Sequence, residues 1–458
     1  MDVFLTHGYF LEEDEKEQAI MRPYPPLGLL YISAFLKEHD VKTMVFDTTF
    51  SSFEELKKAL EKNKPALVAL YANLMPKINL IKVMRFIRSN PKLSETKIVL
   101  GGPDVTYNKE NYMAAGADFL VIGEGEQTML ELAEAIKNDR SVAEITGLVH
   151  WNEKEMVVNP PRVKIKQVDE LPMPDREAID LETYLSAWKE RHGSSTISLS
   201  TQRGCPYTCN WCSTAVYGQS YRRRSATLVA DEVELLIERY QPDSLWFVDD
   251  VFTVSHKWIS ELHDEFIQRG IAIAFECITR AERLTDEVLE QLKAMGCSKI
   301  WIGAESGSQK IIDEMDRRVD VNVVREQIRK ARQVGIGTGT FIMLGYPNET
   351  MSDIKETVHH LKTSNPDHFT ITVAYPIAGT SLYEQVKPKM KPLPSWNEST
   401  DRDIDFERTY SRAFYNHAVR YVVNSVNAHK YWESKSFLPW AKGKTKAILS
   451  RTAMAFMK

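Results

Sequence analysis

The segment Thr196–Ser213 has the sequence TISLSTQRGCPYTCNWCS, and it decides how the rest of the chain is interpreted. Its first five residues, Thr196–Ser200, are predicted to form a strand. The loop that follows contains three cysteines with the spacing C-x3-C-x2-C: Cys205, Cys209 and Cys212. Two further cysteines, Cys277 and Cys297, stand alone, so the total of five is odd. Because a secreted disulfide framework would spread an even number of cysteines, this cluster indicates metal chemistry.

The three-cysteine loop is long enough to fold three thiolates around one iron–sulfur cubane, and such clusters are held by cysteine sulfur. The fourth iron would then have no cysteine ligand, which leaves an open site for substrate-activating chemistry. A structural zinc ion would need four protein ligands, often in two pairs. Here the fourth would be Cys277 or Cys297, and neither belongs to a C-x-x-C pair. The spacing favours a cluster over zinc or incidental thiols.

Composition narrows the class of protein. The chain has 458 residues, 58 basic and 63 acidic, with a net charge of −5, which argues against a general nucleic-acid coat. Its length suggests roughly three domains. No run reaches the ~18 apolar residues that a bilayer span needs, and the N-terminal residues lack the features of a signal peptide. We therefore expect a cytoplasmic enzyme or binding protein.

The first part of the chain alternates apolar runs with amphipathic segments. Five strands are predicted, at Asp2–Thr6, Val41–Phe46, Ala66–Tyr71, Lys97–Leu100 and Phe119–Ile122. Intervening helices are predicted over Gly28–Glu38, Phe53–Lys62 and Glu126–Lys137. This alternation predicts an α/β, doubly wound, Rossmann-like domain over residues 1–145, with ligands beyond the carboxyl ends of its strands.

The alternation weakens over residues 146–193, where we expect a hairpin and a linker. It resumes over residues 194–386, with strands predicted at Thr196–Ser200, Ser244–Val248, Ala272–Ile278, Lys299–Ile302, Gly339–Leu344 and His368–Val373. Six strands are too few for a complete eightfold barrel, so we predict a partial (β/α)6 barrel of the TIM type. Residues 387–458 are expected to be mostly helical.

The three-cysteine loop, with an aromatic residue just before its third cysteine, resembles that of the radical S-adenosylmethionine (SAM) superfamily. The resemblance implies a [4Fe-4S] cluster whose open iron chelates SAM and a one-electron cleavage that yields a 5′-deoxyadenosyl radical. It also implies a set of residues that contact SAM: Tyr207, Trp211, Asp249, Asp250, Arg280 and Glu305.

Four of these six residues have a structural alternative. Trp211 would pack near the adenine or fill the core. Asp249 and Asp250 end the second barrel strand, where relatives bind the methionine amine, but they could instead cap a helix. Arg280 matches the arginine that pairs with the methionine carboxylate. Glu305 follows the fifth-strand signature, and it would bind the cofactor or form a salt bridge with a barrel arginine.

The N-terminal part contains Pro25-Pro26-Leu27-Gly28-Leu29, Asp47 after the second strand, Gly101-Gly102-Pro103 and Gly123-Glu124-Gly125-Glu126. In these residues it resembles the cobalamin-binding domain that is fused to one large class of these enzymes. The implied cobalamin residues are those of the strand-end loops: Asp47, Ala72, Asn73, Leu74, Gly101, Gly102, Pro103, Gly123, Glu124, Gly125 and Glu126. The D-x-H-x-x-G motif that supplies cobalt's lower ligand is absent from the sequence, and His7 lacks that spacing. Relatives in this class also lack the motif, so cobalt would bind without a histidine.

Three functions compete. The first is cobalamin-dependent methyl transfer to an unactivated carbon. The second is an oxidative or ring-forming reaction, as in the anaerobic magnesium-protoporphyrin IX monomethyl ester cyclase. The third is a non-catalytic cobalamin or cluster sensor. No catalytic residue is assigned.

The expected partners are a small, hydrophobic or lipid-like substrate and an electron donor such as flavodoxin or ferredoxin. No nucleic acid is expected. Beyond Glu433 the sequence has basic residues but no acidic ones, interleaved with large apolar residues. Such a segment could contact a membrane surface or simply pack on the barrel. The run Arg222-Arg223-Arg224 could meet an anionic substrate, lie solvated or lie next to a cofactor.

Overall fold

The computed structural model describes residues 1–73, 75–214, 216–392, 395–400 and 403–457. The chain divides into two compact units. Unit 1 comprises Met1–Pro206 and Thr214–Ser244, with a short segment within Leu393–Asp403. Unit 2 comprises Tyr207–Ser213, Leu245–Pro392 and Ile404–Lys458. The four-part division of the sequence, 1–145, 146–193, 194–386 and 387–458, stays a prediction.

Unit 1 is built on a seven-stranded sheet with the strand order β2-β1-β3-β4-β5-β6-β7. Its strands are β1 (Val3–His7), β2 (Thr43–Phe46), β3 (Leu67–Tyr71), β4 (Lys97–Gly101), β5 (Phe119–Val121), β6 (Leu148–Asn152) and β7 (Glu155–Val158). The pairs from β2 to β5 are parallel, whereas β6 and β7 are antiparallel. The expected hairpin therefore extends the sheet.

Helices cover both faces of this sheet. They are α1 (Glu15–Ile20), α2 (Leu27–Glu38), α3 (Phe53–Asn63), α4 (Lys77–Ser89), α5 (Lys109–Ala114), α6 (Glu126–Lys137) and α7 (Leu181–His192). Alternate strand residues serve two separate cores: Val68 and Leu70 pack with α3 and α4, whereas Leu67 and Ala69 pack with α2 and α6. The doubly wound fold predicted from the sequence is confirmed.

Four further elements of unit 1 follow along the chain: β8 (Thr196–Leu199), β9 (Gln202–Arg203), β10 (Arg222–Arg223) and α8 (Ala226–Tyr240). The short strands β9 and β10 pair antiparallel, with Arg222 opposite Arg203.

Unit 2 contains a parallel α/β array followed by a helical hairpin. Its strands are β11 (Ser244–Phe247), β12 (Ala274–Thr279), β13 (Cys297–Glu305), β14 (Gly337–Leu344) and β15 (His368–Val373), in the sheet order β15-β14-β13-β12-β11. Its helices are α9 (His256–Arg269), α10 (Asp286–Ala294), α11 (Gln309–Glu314), α12 (Val321–Gln333), α13 (Met351–Ser364), α14 (Ser381–Val386), α15 (Arg412–Glu433) and α16 (Phe437–Phe456). All six strands predicted for the partial barrel form, counting β8.

The carboxyl ends of β3 and β4 approach each other closely in unit 1. Gly102 follows β4 with a φ of +114°, and a Cβ atom there would lie 2.4 Å from the carbonyl oxygen of Ala72. Only glycine adopts this conformation readily and leaves room for that oxygen. At Gly101 the nearest atom to an added Cβ is 3.8 Å away. The close approach therefore depends on Gly102 alone.

Within the described part of the chain, none of the helices combines the length and the apolar composition that a membrane crossing requires.

Replacing Gly102 by alanine should lower the free energy of unfolding by about 1–3 kcal/mol, because the new methyl group meets a backbone oxygen at a strained φ. Urea unfolding of Gly102→Ala beside the matched control Gly101→Ala measures this cost. Equal stability of the two variants would contradict the close approach.

Candidate functional site

The segment Tyr207–Ser213, called the cysteine loop from here on, belongs to unit 2 and is fixed there through its backbone. Asn210 donates its N–H to the carbonyl of Met315 at 3.1 Å and accepts the N–H of Leu382 at 2.8 Å. Cys212 donates its N–H to the carbonyl of Cys209 at 3.2 Å, which closes a turn. The second and third cysteines are therefore presented on a tethered turn.

The first cysteine of the motif lies in unit 1. Cys205 forms an isolated backbone bridge with Gln219. The preceding Gly204 has a φ of +82°, and a Cβ there would lie 2.3 Å from the Ser220 hydroxyl oxygen. The bend just before Cys205 therefore requires glycine.

Arg280, at the end of β12, is the main side-chain neighbour of the cysteine loop. Its guanidinium carbon lies 3.9 Å from the centre of the Tyr207 ring, and its Nη1 lies 3.4 Å from the sulfur of Cys209. Nε donates to Glu282, and Nη2 donates to the carbonyl of Arg317. Three of the five N–H donors of a guanidinium are thus engaged. The other two suit one carboxylate held in bidentate fashion.

The donors present fit an iron–sulfur cluster by their chemistry. All five cysteines are free of disulfides; Cys212 is exposed and Cys205 and Cys209 are partly exposed, whereas Cys277 and Cys297 are buried. Among the described residues, no three His, Cys, Asp or Glu side chains lie close enough together to hold a metal ion. The fit therefore rests on three accessible thiols, the ligand type that holds iron–sulfur clusters, and on the guanidinium of Arg280 beside Cys209.

Glu305 ends β13 in a position that the regular strand would not give it. The pairing of β13 with β14 shifts register between Gly303 and Glu305, and Glu305 has a φ of +62°. Burial raises the pKa of Glu305 to about 7, against the lowering effect of the charges on Arg317 and Arg280. This acid can therefore exchange a proton near neutral pH.

Arg317 is the residue of this site that the sequence did not reveal. It is buried and donates Nη2 to the carbonyl of Gly303 at 2.9 Å, while its Nε and Nη1 have no hydrogen-bond partner among the described residues. A Cβ on Gly303 would lie 2.7 Å from Oε1 of Glu305 and 3.0 Å from Nη2 of Arg317. The carboxylate and the guanidinium therefore both lie over Gly303, which brings an acid and a cation to one strand end.

The other predicted SAM residues also belong to unit 2. Asp249 is buried and Asp250 is exposed, both just beyond β11. Although the Asp250 residue is exposed overall, partial desolvation of its carboxyl group and the neighbouring Asp249 raise its pKa. Trp211 is partly buried against an apolar cluster that consists of Ile311, Met315, Tyr346, Leu382, Val386 and Phe406. Which carboxylate meets SAM, and whether Trp211 contacts the adenine, stay predictions.

In unit 1, the carboxylate of Asp47, just after β2, already has hydrogen-bond partners. Asp47 accepts hydrogen bonds from His7 Nε2 at 2.9 Å, from the Tyr184 hydroxyl at 2.6 Å and from the Thr49 N–H at 2.9 Å. Burial would raise the pKa of Asp47, but the bonds from His7 and Tyr184 hold it below its usual value. His7 Nδ1 accepts the N–H of Tyr9 at 3.2 Å. Both ring nitrogens of His7 are thus occupied, so neither is free to ligate cobalt.

Glu124 and Glu126, after β5, are buried in ion pairs. Arg203 contacts Glu124 at 2.9 Å and Glu126 at 2.5 Å, and Arg222 contacts Glu124 at 2.7 Å. Because the carboxylates hold these arginines, the backbone of this glycine-rich loop is what remains available to a ligand.

The other predicted cobalamin residues follow β3, β4 and β5. Ala72 is buried, and Asn73 accepts the N–H of Met75 at 2.9 Å. Leu74 lies outside the described residues. The remaining positions lie at the same strand ends: Gly101, the last residue of β4, then Gly102 and Pro103, and Gly123 and Gly125 after β5. Their role in binding cobalamin stays a prediction.

The arginine run after the cysteine motif has a structural role in unit 1. Arg222 binds Glu124, and Arg224 pairs with Glu232, which Arg176 also contacts at 2.8 Å. Arg223 donates to the Thr201 hydroxyl at 2.8 Å. The alternative of an anionic substrate is not needed to explain these three residues.

Comparison with protein-family models finds two domains. Residues 199–361 match the radical SAM superfamily, and residues 20–133 match the B12 binding domain.

Relatives and solved structures agree with this pair of domains. The chain is 29% identical over 368 residues to the uncharacterized methyltransferase PH0819 of Pyrococcus horikoshii, covering 79% of this chain and 78% of the relative. It is 25% identical over 380 residues to the anaerobic magnesium-protoporphyrin IX monomethyl ester cyclase of Rubrivivax gelatinosus, covering 80% and 67%. The fold matches that of the radical SAM methyltransferase TsrM from Kitasatospora setae, solved with cobalamin and a [4Fe-4S] cluster. That match has a TM-score of 0.71 at 19% identity and covers 84% of this chain and 75% of the other.

The chain is therefore a radical SAM enzyme that carries a B12-binding domain. The cofactors of this class are a [4Fe-4S] cluster, SAM and cobalamin, as the sequence predicted.

Single alanine replacements of Cys205, Cys209 and Cys212 should each remove most of the iron, because each deletes one thiolate of a three-thiolate site. Anaerobically reconstituted protein should bind about four iron atoms per chain in the wild type. Cys277→Ala and Cys297→Ala, the matched controls, should keep that content. Stoichiometric zinc, or loss of iron on replacing Cys277 or Cys297, would contradict the assignment.

Replacing Glu305 by glutamine should flatten the pH dependence of stability in the absence of SAM. Between the ordinary value of 4.5 and the folded value of about 7, the unfolded chain releases a proton that folded Glu305 keeps. The wild type should thus lose up to about 3 kcal/mol of unfolding free energy as the pH rises through this window. Urea unfolding at pH 5 and pH 7.5 measures the difference. Glu290→Gln, on exposed α10 surface, should behave like the wild type, and an equally steep loss in Glu305→Gln would refute the assignment.

Proposed function

We propose that this enzyme transfers a methyl group from SAM, by way of cobalamin, to an unactivated carbon of a small hydrophobic substrate. The similarity to PH0819 supports this choice most directly, since it extends over 79% of the chain and so takes in part of both domains. The similarity to the Rubrivivax cyclase supports the second candidate, a ring-forming reaction on the same scaffold.

When bound, the cofactors would supply one electron for SAM cleavage and a carrier for the methyl group. The protein would supply orientation. Arg280 is held by Tyr207, Cys209 and Glu282, so its two remaining N–H donors are already directed before the methionine carboxylate arrives. Glu305 would accept a hydroxyl or ammonium hydrogen bond when ionised, with Arg317 beside it to favour the charge.

The edge of the unit 1 sheet at the carboxyl ends of its strands would bind a flat cofactor through shape complementarity with the backbone. Gly102 allows a close backbone approach, and the polar side chains nearby are committed to one another, as in the pair of His7 with Asp47. A corrin there would meet backbone atoms and would have no histidine ligand to cobalt.

The substrate class and the reductant complete the proposal. A hydrophobic or lipid-like small molecule is the substrate, and a flavodoxin or ferredoxin delivers the electron. A lipid-like substrate would reach the enzyme most readily if the basic C-terminal segment of the enzyme contacted a membrane.

Turnover with SAM that carries a deuterated methyl group tests the reaction. Protein loaded with cluster and cobalamin under anaerobic conditions, with reduced flavodoxin and extracted lipids, should form a product heavier by one deuterated methyl group. 5′-Deoxyadenosine should accumulate with it. Mass spectrometry of both products measures the result.

Two variants make the outcome specific. Cys212→Ala should form neither product, whereas Cys277→Ala should form both. Deoxyadenosine without transferred label would favour the ring-forming reaction over methyl transfer. The absence of deoxyadenosine from protein with an intact cluster would favour a non-catalytic sensor.

A further inference from the structure

We infer that helix α16 binds the surface of an anionic membrane through its outward face. This inference goes beyond the proposed function, although a lipid-like substrate would give the contact a purpose.

One face of α16 is packed against α15. The buried positions are Gly443, Ala447, Ser450 and Met454, at helical spacings of four, three and four. A Cβ on Gly443 would lie 3.2 Å from the Cβ of Ala428 on α15, so small residues let the two helices approach closely. At its end the hairpin is closed by Ser411, which donates to the carbonyl of Met457 at 2.7 Å. The helix therefore has a fixed inner face and a fixed outer face.

The outer face is apolar, which is unusual for a helix with one face already packed. Its large side chains are exposed by 57–85%: Phe437, Leu438, Ile448, Leu449 and Phe456. At about 100° per residue, these five fall within an arc of about 120° on the side opposite Gly443 and Ala447. Only alanine and threonine share that arc: Ala441, Thr445, Thr452 and Ala455. A contiguous apolar surface of this kind marks a site of interaction.

Basic side chains border this apolar arc on both sides. By the same helical spacing, Lys442 and Lys446 follow one edge, and Lys444 and Arg451 follow the other. Residues 434–458 contain six basic residues and no acidic ones. Long basic side chains can bury their stems beside an apolar surface while their charges reach lipid phosphates.

An anionic lipid surface satisfies both features together. Apolar side chains enter the acyl boundary while the bordering lysines meet negative headgroups. A second copy of this chain would bring like charges together along both edges, which disfavours association through this face. Since α16 lacks the apolar composition needed to cross a membrane, it would lie along the surface.

Vesicle flotation of the full-length holoenzyme tests the inference. Wild-type protein should partition at least tenfold more strongly onto vesicles of equal phosphatidylcholine and phosphatidylglycerol than onto pure phosphatidylcholine. Ile448→Glu should weaken partitioning at least tenfold. The matched control, Ile267→Glu, alters an isoleucine of α9 with almost the same exposure, 55% against 57%, and should leave partitioning unchanged.

A second pair of variants tests the contribution of the basic side chains to vesicle binding. The double change Lys442→Gln and Lys446→Gln should reduce binding to the anionic vesicles, whereas Lys257→Gln on α9 should not. Failure of the wild type to float with anionic vesicles, or equal flotation of Ile448→Glu, would overturn the inference. So would a dimer in solution that Ile448→Glu dissociates, because a second copy would then be the occupant.

The same variants separate this inference from the proposed function. Ile448→Glu should cleave SAM at the wild-type rate in the absence of vesicles, since α16 contributes no residue to the candidate site. Vesicle binding without methyl transfer would leave the membrane contact standing and refute the reaction.

Discussion

The contact between Arg280 and the cysteine loop is the constraint on which the candidate site depends. A guanidinium 3.9 Å from the centre of the Tyr207 ring and 3.4 Å from the sulfur of Cys209 ties the loop to the end of β12. It also places positive charge beside one of the three thiols that are proposed to bind iron. Because Glu282 and a backbone carbonyl take two more N–H donors, the fork is immobilised before any ligand arrives. The tethering of the cysteine loop and the orientation of two unused N–H donors thus depend on one side chain, that of Arg280.

The residues of unit 1 that are predicted to bind cobalamin differ in character from those around Arg280. Their polar side chains are already paired, so backbone atoms remain for contact with a cofactor. His7 donates a hydrogen bond to Asp47, and Arg203 binds both Glu124 and Glu126. A strand-end edge whose side chains are already paired offers a ligand shape and peptide groups, with little free charge. This suits a large, flat cofactor that must be held without a protein ligand to its metal. In the proposed assignment, the two units therefore have different roles: unit 2 would direct N–H donors at SAM, and unit 1 would present backbone atoms and paired side chains to cobalamin.

The sequence predicted the strands well because buried parallel strands are continuous apolar runs, and the three-thiol spacing is a local pattern. It did not predict α1, α4, α5 or α7: α1 and α5 have only six residues each, whereas Leu80, Met84 and Ile87 recur at helical spacing in α4 and could have revealed that helix. It also missed Arg317, which lies twelve residues beyond Glu305 in the sequence but shares the space over Gly303 with it in the fold. The paired state of Glu124 was equally hidden, since its partners Arg203 and Arg222 follow about eighty to one hundred residues later. Local patterns predict elements and ligands; contacts between distant loops require the folded chain.

Helix α16 is a second case in which prediction from the sequence alone is limited. One apolar arc of α16 faces α15 and a second faces outward, so their contributions to the directional hydrophobicity of the helix cancel. The sequence alone is therefore consistent with either core packing or a surface role. The structure separates them, because Gly443 and Ala447 occupy the packed face while Ile448 and Leu449 point away. The inner arc accounts for the packing of α16 against α15. The outer arc has no role in that packing. Lysines on both borders of the unexplained arc then select a partner that is apolar within and negatively charged at its surface, and a lipid bilayer is such a partner.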